Sequence, residues 1–241
     1  MLDSLDLSKL STEQKAELMA LLEAKDRIKR ENRIKSYYPD EGPLRRELYT
    51  QHMEFFRAGA MYRERCFMAG NRVGKTEGAG GYETVLHLTG DYPDWWEGKR
   101  FDRPVKAWAA GDTNETTRDI LQYKLLGPPG YEGEGLIPKD RIVKTSPRSG
   151  VPGAVLDIYV KHESGGVSVV TLKSYEQGRK KFQGTEIDVV WLDEEPPLDV
   201  YSECVTRTMT TGGLVYITFT PLEGLSDVVM SFLPKEYQFS S

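Results

Sequence analysis

The sequence predicts an α/β fold on a mainly parallel central sheet, and three stretches predict it. The first is Arg65-Cys-Phe-Met-Ala-Gly-Asn-Arg-Val-Gly-Lys-Thr76, a short apolar run, a loop closing on Gly74-Lys75-Thr76, and then a helix-like segment. Ile187-Asp-Val-Val-Trp-Leu-Asp-Glu-Glu195 is the second, a buried-strand run that ends in acids, and Leu214-Val-Tyr-Ile-Thr-Phe-Thr-Pro221 is a further strand. Strands that alternate with helix-like segments pair in parallel across crossovers.

The first stretch has the layout of a phosphate cradle. A strand that feeds a tight loop into a helix N-terminus aims several backbone N–H groups and the positive end of the helix dipole at one anion. Gly70, Asn71, Arg72, Val73 and Gly74 form that loop, Lys75 reaches the β- and γ-phosphates, and the Thr76 hydroxyl holds Mg²⁺. Ala69 stands where the P-loop pattern has its first glycine, and Gly70 comes one residue late. The mechanics survive this shift, although a glycine-containing strand-to-helix turn would satisfy the tripeptide alone.

Length and composition bound the rest. At 241 residues, 39% apolar and 29% charged, the chain has room for one large domain, or for a domain with a subdomain. No apolar run reaches the length of a membrane span, and the N-terminus lacks the order of a signal peptide, so an intracellular protein with no membrane partner is expected. Cys66 and Cys204 have no His cluster at metal-ligand spacing, so neither a disulfide framework nor a zinc site is suggested. A net charge of −5 argues against a surface that binds nucleic acid everywhere, but leaves local basic runs at 27–35 and 178–181.

In chain order, Ser11-Thr-Glu-Gln14 has the form of a capping box, and Leu18, Leu21, Leu22 and Ile28 recur at helical spacing toward Tyr37-Tyr-Pro39. This predicts an amphipathic N-terminal helical segment over 1–41, followed by a main domain over 42–235 and a tail over 236–241. A second helix is predicted between Gly42 and Gly59; its Tyr49, Gln51 and His52 could stack on and hydrogen-bond a purine. After Thr76, Gly78, Gly80 and Gly81 are poor helix formers whose missing side chains allow close packing on a sheet. Val105–Gly111 reads as a strand, Thr116–Leu125 as a helix, and 127–153 as an extended Gly- and Pro-rich loop. Val155–Val160 and Val167–Leu172 form a hairpin signal, which implies an antiparallel edge.

The acidic strand supplies the other half of the site. At its C-terminal end Asp193 can take Mg²⁺ and Glu194 can polarise an attacking water, while Glu195 faces solvent or a neighbour. Ligands of open α/β sheets bind outside the carboxyl ends of the strands, so the cradle and the acids are expected to meet there. Thr218 and Thr220 alternate on one face of their strand, with hydroxyls that could sense the γ-phosphate. Arg179 is the first candidate for an arginine that reaches a neighbouring subunit's γ-phosphate, and Arg72 competes with it.

Together these residues resemble the large terminase subunits of tailed double-stranded DNA bacteriophages. The resemblance covers roughly 49–233, and the strings at 64–71, 191–197 and 218–222 are particularly similar to members from short-tailed phages. It implies a P-loop NTPase, RecA-like and of the additional-strand, conserved-glutamate type, that hydrolyses ATP with Mg²⁺ to drive double-stranded DNA into a preformed capsid. The implied partners are DNA, the portal protein of the procapsid, the small terminase subunit and further copies in a ring, all in the host cell cytoplasm. Lys75 and Thr76 match the phosphate and Mg²⁺ residues, Asp193 the metal acid, Glu194 the catalytic base, and Thr218 and Thr220 the coupling motif. The purine motif's glutamine aligns with His52 rather than Gln51, and Arg72 lies one place from the cradle arginine of some relatives.

Two other classes share these motifs: a helicase-like nucleic-acid-dependent ATPase, and a nucleotide-dependent switch or adaptor without efficient turnover. Family members normally continue into an RNase H-type nuclease domain, and the resemblance ends here near the coupling motif, so the sequence predicts the ATPase portion alone. Incubated with plasmid and Mn²⁺, the chain is expected to leave the DNA uncut; protein-dependent cleavage would overturn that expectation.

Overall fold

The computed structural model describes residues 11–71, 73–221 and 226–233; Arg72 and the tail at 236–241 lie outside them. Among the described residues seven strands form one sheet: β1 (Glu64–Met68), β2 (Lys106–Gly111), β3 (Ile142–Pro147), β4 (Val155–Lys161), β5 (Val167–Ser174), β6 (Val189–Asp193) and β7 (Leu214–Phe219). Their order is β1-β7-β6-β2-β5-β4-β3. The first five in that order are mutually parallel, and β4 and β3 add an antiparallel edge. β7 is the additional strand, lying between the strand that feeds the cradle and the strand that ends in acids. Its register sets Phe219 beside Met68 and Thr218 beside Asp193, so both halves of the site leave the sheet at one edge.

The helices are α1 (Thr12–Glu31), α2 (Thr50–Ala58), α3 (Tyr82–Thr89), α4 (Asn114–Thr116), α5 (Tyr123–Leu126), α6 (Leu198–Met209) and α7 (Asp227–Phe232). The period of two along the strands divides the core in two. Phe67, Ala109, Leu172, Trp191 and Tyr216 face a cluster with α2 and α3, while Trp108, Val190, Leu192, Ile217 and Phe219 face one with α6 and α7. Wide π-type turns, Lys75–Gly81 and Thr117–Gln122, precede α3 and α5.

Several sequence expectations need correction. α1 has its capping box, with Gln14 N donating to Ser11 Oγ at 3.2 Å and Ser11 N to Gln14 Oε1 at 2.9 Å, but it ends at Glu31 rather than near Tyr37. A 3₁₀ turn (Arg33–Ser36) follows and carries Ile34 and Tyr38 into the first core cluster. The helix expected from Gly42 begins at Thr50, after a single 3₁₀ turn at Arg46–Leu48. The stretch read as a loop over 127–153 contains β3. That strand is paired on one side only, is largely exposed and ends in Pro147, so no buried alternation announces it.

Arg65 ties β1 to the helices on either side of the cradle. Its guanidinium makes a bidentate pair with Glu83 of α3, at 2.6 and 3.0 Å, and donates to the Phe55 carbonyl of α2 at 2.7 Å. Burial pushes the Glu83 carboxyl up, but Arg65 and His87 outweigh it and hold the group below the ordinary carboxylate range.

The glycines after Thr76 permit the close approach expected of them. A Cβ at Gly80 would lie 2.1 Å from Nε1 of Trp191, a ring that is itself fully buried. Gly80→Ala is therefore expected to destabilise the fold by about 1–3 kcal/mol, the scale of overpacking. Chemical denaturation measures it, and an unchanged midpoint would mean that the helix can slide away from Trp191.

Candidate active site

The cradle leaves the sheet at Ala69, whose N–H donates to the Phe219 carbonyl at 3.3 Å. Gly70, Asn71, Val73 and Gly74 are exposed, so their backbone is open to an anion. Gly74 has φ +82°, a left-handed conformation that suits glycine, and its carbonyl accepts from both Gly78 N (2.6 Å) and Ala79 N (3.1 Å). That shared acceptor opens the first turn to π width. Wide turns of this kind recur at functional positions in helices. Lys75 is buried at its start.

Asp193 is the centre of the site. It is 4% exposed, accepts from Thr218 Oγ1 at 2.8 Å and has the Thr76 hydroxyl beside it. Thr218 Oγ1 in turn accepts from Trp191 Nε1 at 2.8 Å. Burial raises the Asp193 carboxyl to about 7; the Thr218 and Thr76 bonds and the Lys75 charge oppose that rise, and the Glu194 charge adds to it. Lys75 and Glu194, remote in sequence, thus both act on one carboxylate.

Glu194 leaves the strand with φ +63°, a left-handed conformation held by its N–H bond to the Thr218 carbonyl at 2.9 Å. A bulky residue in that region is a local strain of about 1–3 kcal/mol, and such strain gathers at functional positions. The Tyr175 hydroxyl lies 2.9 Å from the Asp193 carbonyl and 3.1 Å from that of Glu194, and so supports the turn. In the sequence a lone tyrosine after a strand gives no signal, so only the structure points to Tyr175. The exposed Glu194 side chain lines a cleft of about 590 Å³ with Tyr175, Leu198 and Thr220. Glu195, half-buried, lines the same cleft and accepts from the Ser226 hydroxyl at the start of α7.

The remaining candidates divide. Thr220 Oγ1 donates to Asn71 Oδ1 at 2.9 Å, joining β7 to the cradle, while the one hydroxyl proton of Thr218 is committed to Asp193 rather than directed at a phosphate. His52 is buried behind the cradle, not presented to a purine. Burial keeps its ring below the usual histidine range, hence neutral; Nε2 donates to the Val73 carbonyl at 3.1 Å, and Nδ1 accepts from the Tyr38 hydroxyl at 2.6 Å. Tyr49 is half-buried, 5.4 Å from the rings of Tyr38 and His52, and Gln51 is exposed. Arg179 lies on the α6 side of the sheet, where its Nε donates to Glu203 at 2.8 Å.

The donor set suits Mg²⁺. Thr76 and Asp193 offer hard oxygens side by side, and among the described residues no cluster of three His, Cys, Asp or Glu side chains forms a cage of its own. Mg²⁺ takes one or two protein oxygens and completes its octahedron with phosphate and water.

The profile described as "Terminase large subunit, T4likevirus-type, N-terminal" matches residues 66–241, most of the chain. The chain belongs to that family. The terminase chain is 39% identical to the large terminase subunit of Salmonella phage P22 over 250 aligned positions, which cover 94% of it and 48% of the relative. It therefore spans about half the length of that relative. Among solved structures it is similar to the large terminase ATPase domain of Thermus phage P74-26, with TM-score 0.51 and 18% identity over 77% of this chain and 72% of that one. At that identity the likeness shows the P-loop NTPase fold alone. The large terminase of bacteriophage D6E, solved with ATP-γ-S, has TM-score 0.47 and 12% identity over 71% of this chain and 37% of that one.

Because the native Asp193 carboxyl sits near 7 against an ordinary 3.8, folding takes up a proton between these values, and this group's contribution to stability falls as pH rises through that window. Without Mg²⁺, Asp193→Asn is expected to melt above the parent at pH 8 and to keep less than half of that advantage at pH 5. Thermal melts at both values check it; equal offsets would refute the assignment.

Proposed function

We propose that this terminase chain is the ATP-hydrolysing motor domain that translocates double-stranded DNA into a preformed capsid. The observation that carries the reading is the buried carboxylate of Asp193, bonded to Thr218 with the Thr76 hydroxyl beside it, and flanked by the charges of Lys75 and Glu194. Lys75, Thr76, Asp193 and Glu194 together have the chemistry of phosphoryl transfer to water. The open N–H groups of the cradle bind the phosphates, and Lys75 neutralises charge on the β- and γ-oxygens. Thr76 and Asp193 would hold Mg²⁺, which supplies further charge neutralisation on those oxygens when bound. From the mouth of the cleft Glu194 orients the attacking water and accepts its proton.

Thr220 stands where such a site could be coupled to motion, since its bond to Asn71 joins the cradle loop to the end of β7. Arg179 is the candidate for charge donated across a ring of copies, with Arg72 as its competitor. DNA, a portal and a small terminase subunit are the partners we assign, with action in the host cytoplasm; among the described residues no helix is long and apolar enough to cross a membrane. A switch without turnover is the competing reading, and the left-handed Glu194 speaks against it, because a switch gains nothing from a strained acid at the phosphate end of the sheet.

Glu194→Ala is expected to keep ATP binding and to lose at least about a hundredfold in turnover, the scale of a general base. Phosphate release at saturating ATP, alongside a binding isotherm, measures both. Unchanged turnover would leave the switch reading standing. If Arg179 acts across an interface, specific activity should rise with protein concentration, and a flat dependence would remove it from that role.

A further inference from the structure

The cradle is gripped from behind by a segment upstream of the family match. Glu77, next in sequence to Thr76, is held by three side chains: the Tyr37 hydroxyl and the Arg33 guanidinium from the N-terminal segment, and Lys124 of α5 at 2.6 Å. Burial pushes its carboxyl up, and Lys124, Tyr37 and Arg33 together bring it below the ordinary carboxylate range. One residue further on, the Gly78 carbonyl lies 2.7 Å from the Tyr38 hydroxyl. That hydroxyl's single proton is shared between the carbonyl and Nδ1 of His52, and His52 donates onward to the Val73 carbonyl. Residues 33–38 therefore reach the cradle at Val73, Glu77 and Gly78, on both sides of Lys75 and Thr76.

This grip holds an unusual local geometry. The turn it touches is the π-type turn of Lys75–Gly81, in which the Tyr82 N–H reaches back five residues to the Glu77 carbonyl. Tyr38 itself has φ +55°, a conformation that a tyrosine keeps only where its surroundings over-determine it. Edge-on contacts with Tyr82, Tyr49 and Phe56, at 5.0, 5.4 and 5.8 Å, supply that constraint. The loop residues whose N–H groups would meet the anion, Gly70, Asn71, Val73 and Gly74, are exposed.

We infer that Tyr38 and Glu77 are positioning residues for the nucleotide, acting through the cradle: they keep the turn after Lys75 wide, so that Lys75 and Thr76 stand ready before ATP arrives. The inference rests on the reading of the cradle as an ATP site. His52 belongs to the same brace as the link between Tyr38 and Val73, which accounts for a histidine at the place where the sequence suggested a purine contact.

Apparent affinity falls in proportion to the fraction of molecules in the competent state, so loosening the brace should weaken binding and leave chemistry at saturation nearly intact. The test uses the full 241-residue chain, with Tyr38→Phe and Glu77→Gln as variants and Tyr92→Phe as the control. Tyr92 bonds His87 and the Phe101 N–H, each at 2.9 Å, so its loss removes a comparable hydroxyl on the same side of the sheet and away from the cradle. Calorimetric titration with Mg²⁺ and ATP-γ-S is expected to give a Kd raised at least about fivefold for Tyr38→Phe and Glu77→Gln, against less than about twofold for Tyr92→Phe. Turnover at saturating ATP should stay within about threefold for both brace variants.

Parent-like Kd in both brace variants would overturn the inference while leaving the ATP site intact. A Tyr92→Phe shift as large as theirs would overturn it too, because the effect would then be general destabilisation. Failure of the parent chain to bind ATP-γ-S would instead remove the functional reading on which the inference rests. Should Tyr38→Phe fail to fold, Glu77→Gln decides alone.

Discussion

The bond from Thr218 to Asp193 fixes the one carboxylate around which the rest of the site is arranged. It exists because β7 lies between β1 and β6, which brings Thr218 into register with Asp193 and Phe219 into register with Met68. A hydroxyl on the central strand can then accept from the Trp191 indole while donating to the acid, leaving no buried polar atom of the trio without a partner. Trp191 reaches Thr218 only because Gly80 has no side chain at the crossing. One glycine in the helix after the cradle thus helps to place the acid on the far strand, and packing and chemistry are not separable here.

A second anchor lies below the first. The bidentate pair of Arg65 and Glu83 joins the strand before the cradle to the helix after it, with His87 Nε2 sharing the Glu83 carboxylate at 3.1 Å. Desolvating such a pair offsets much of its attraction, so its value lies less in stability than in direction. A guanidinium fork meets a carboxylate in one plane, and that fixes how the helix is rotated relative to the strand. The brace from residues 33–38 then constrains the turn between these two fixed pieces.

Local chemistry made much of this legible in the sequence. The run at 65–76 and the acids at 193–195 each carry their own signature, and the alternation of strands with helices gave the parallel sheet, the edge hairpin and the convergence of both motifs at one end. What escaped depends on distance along the chain. Nothing near Tyr37 or Glu77 indicates that they meet across 40 positions, and Tyr175 supports a turn 19 residues away through backbone carbonyls, which leave no trace in residue type. Glu203, which holds Arg179, looked like any other acid on an amphipathic helix. The purine expectation at His52 read a plausible donor correctly as polar, but burial behind the cradle, not composition, decides what it touches.

α1 carries its own consequence. Twenty residues long and about 30 Å from end to end, it buries no side chain and is moored near its C-terminus by Arg30 to Glu134 and by Glu31 to Lys139. An unsupported helix of that length sits close to the helix–coil balance, so its amides are shielded only by transient winding, whereas those of β6 and β7 are shielded by the whole fold. Deuterium should therefore enter α1 orders of magnitude sooner than the central strands.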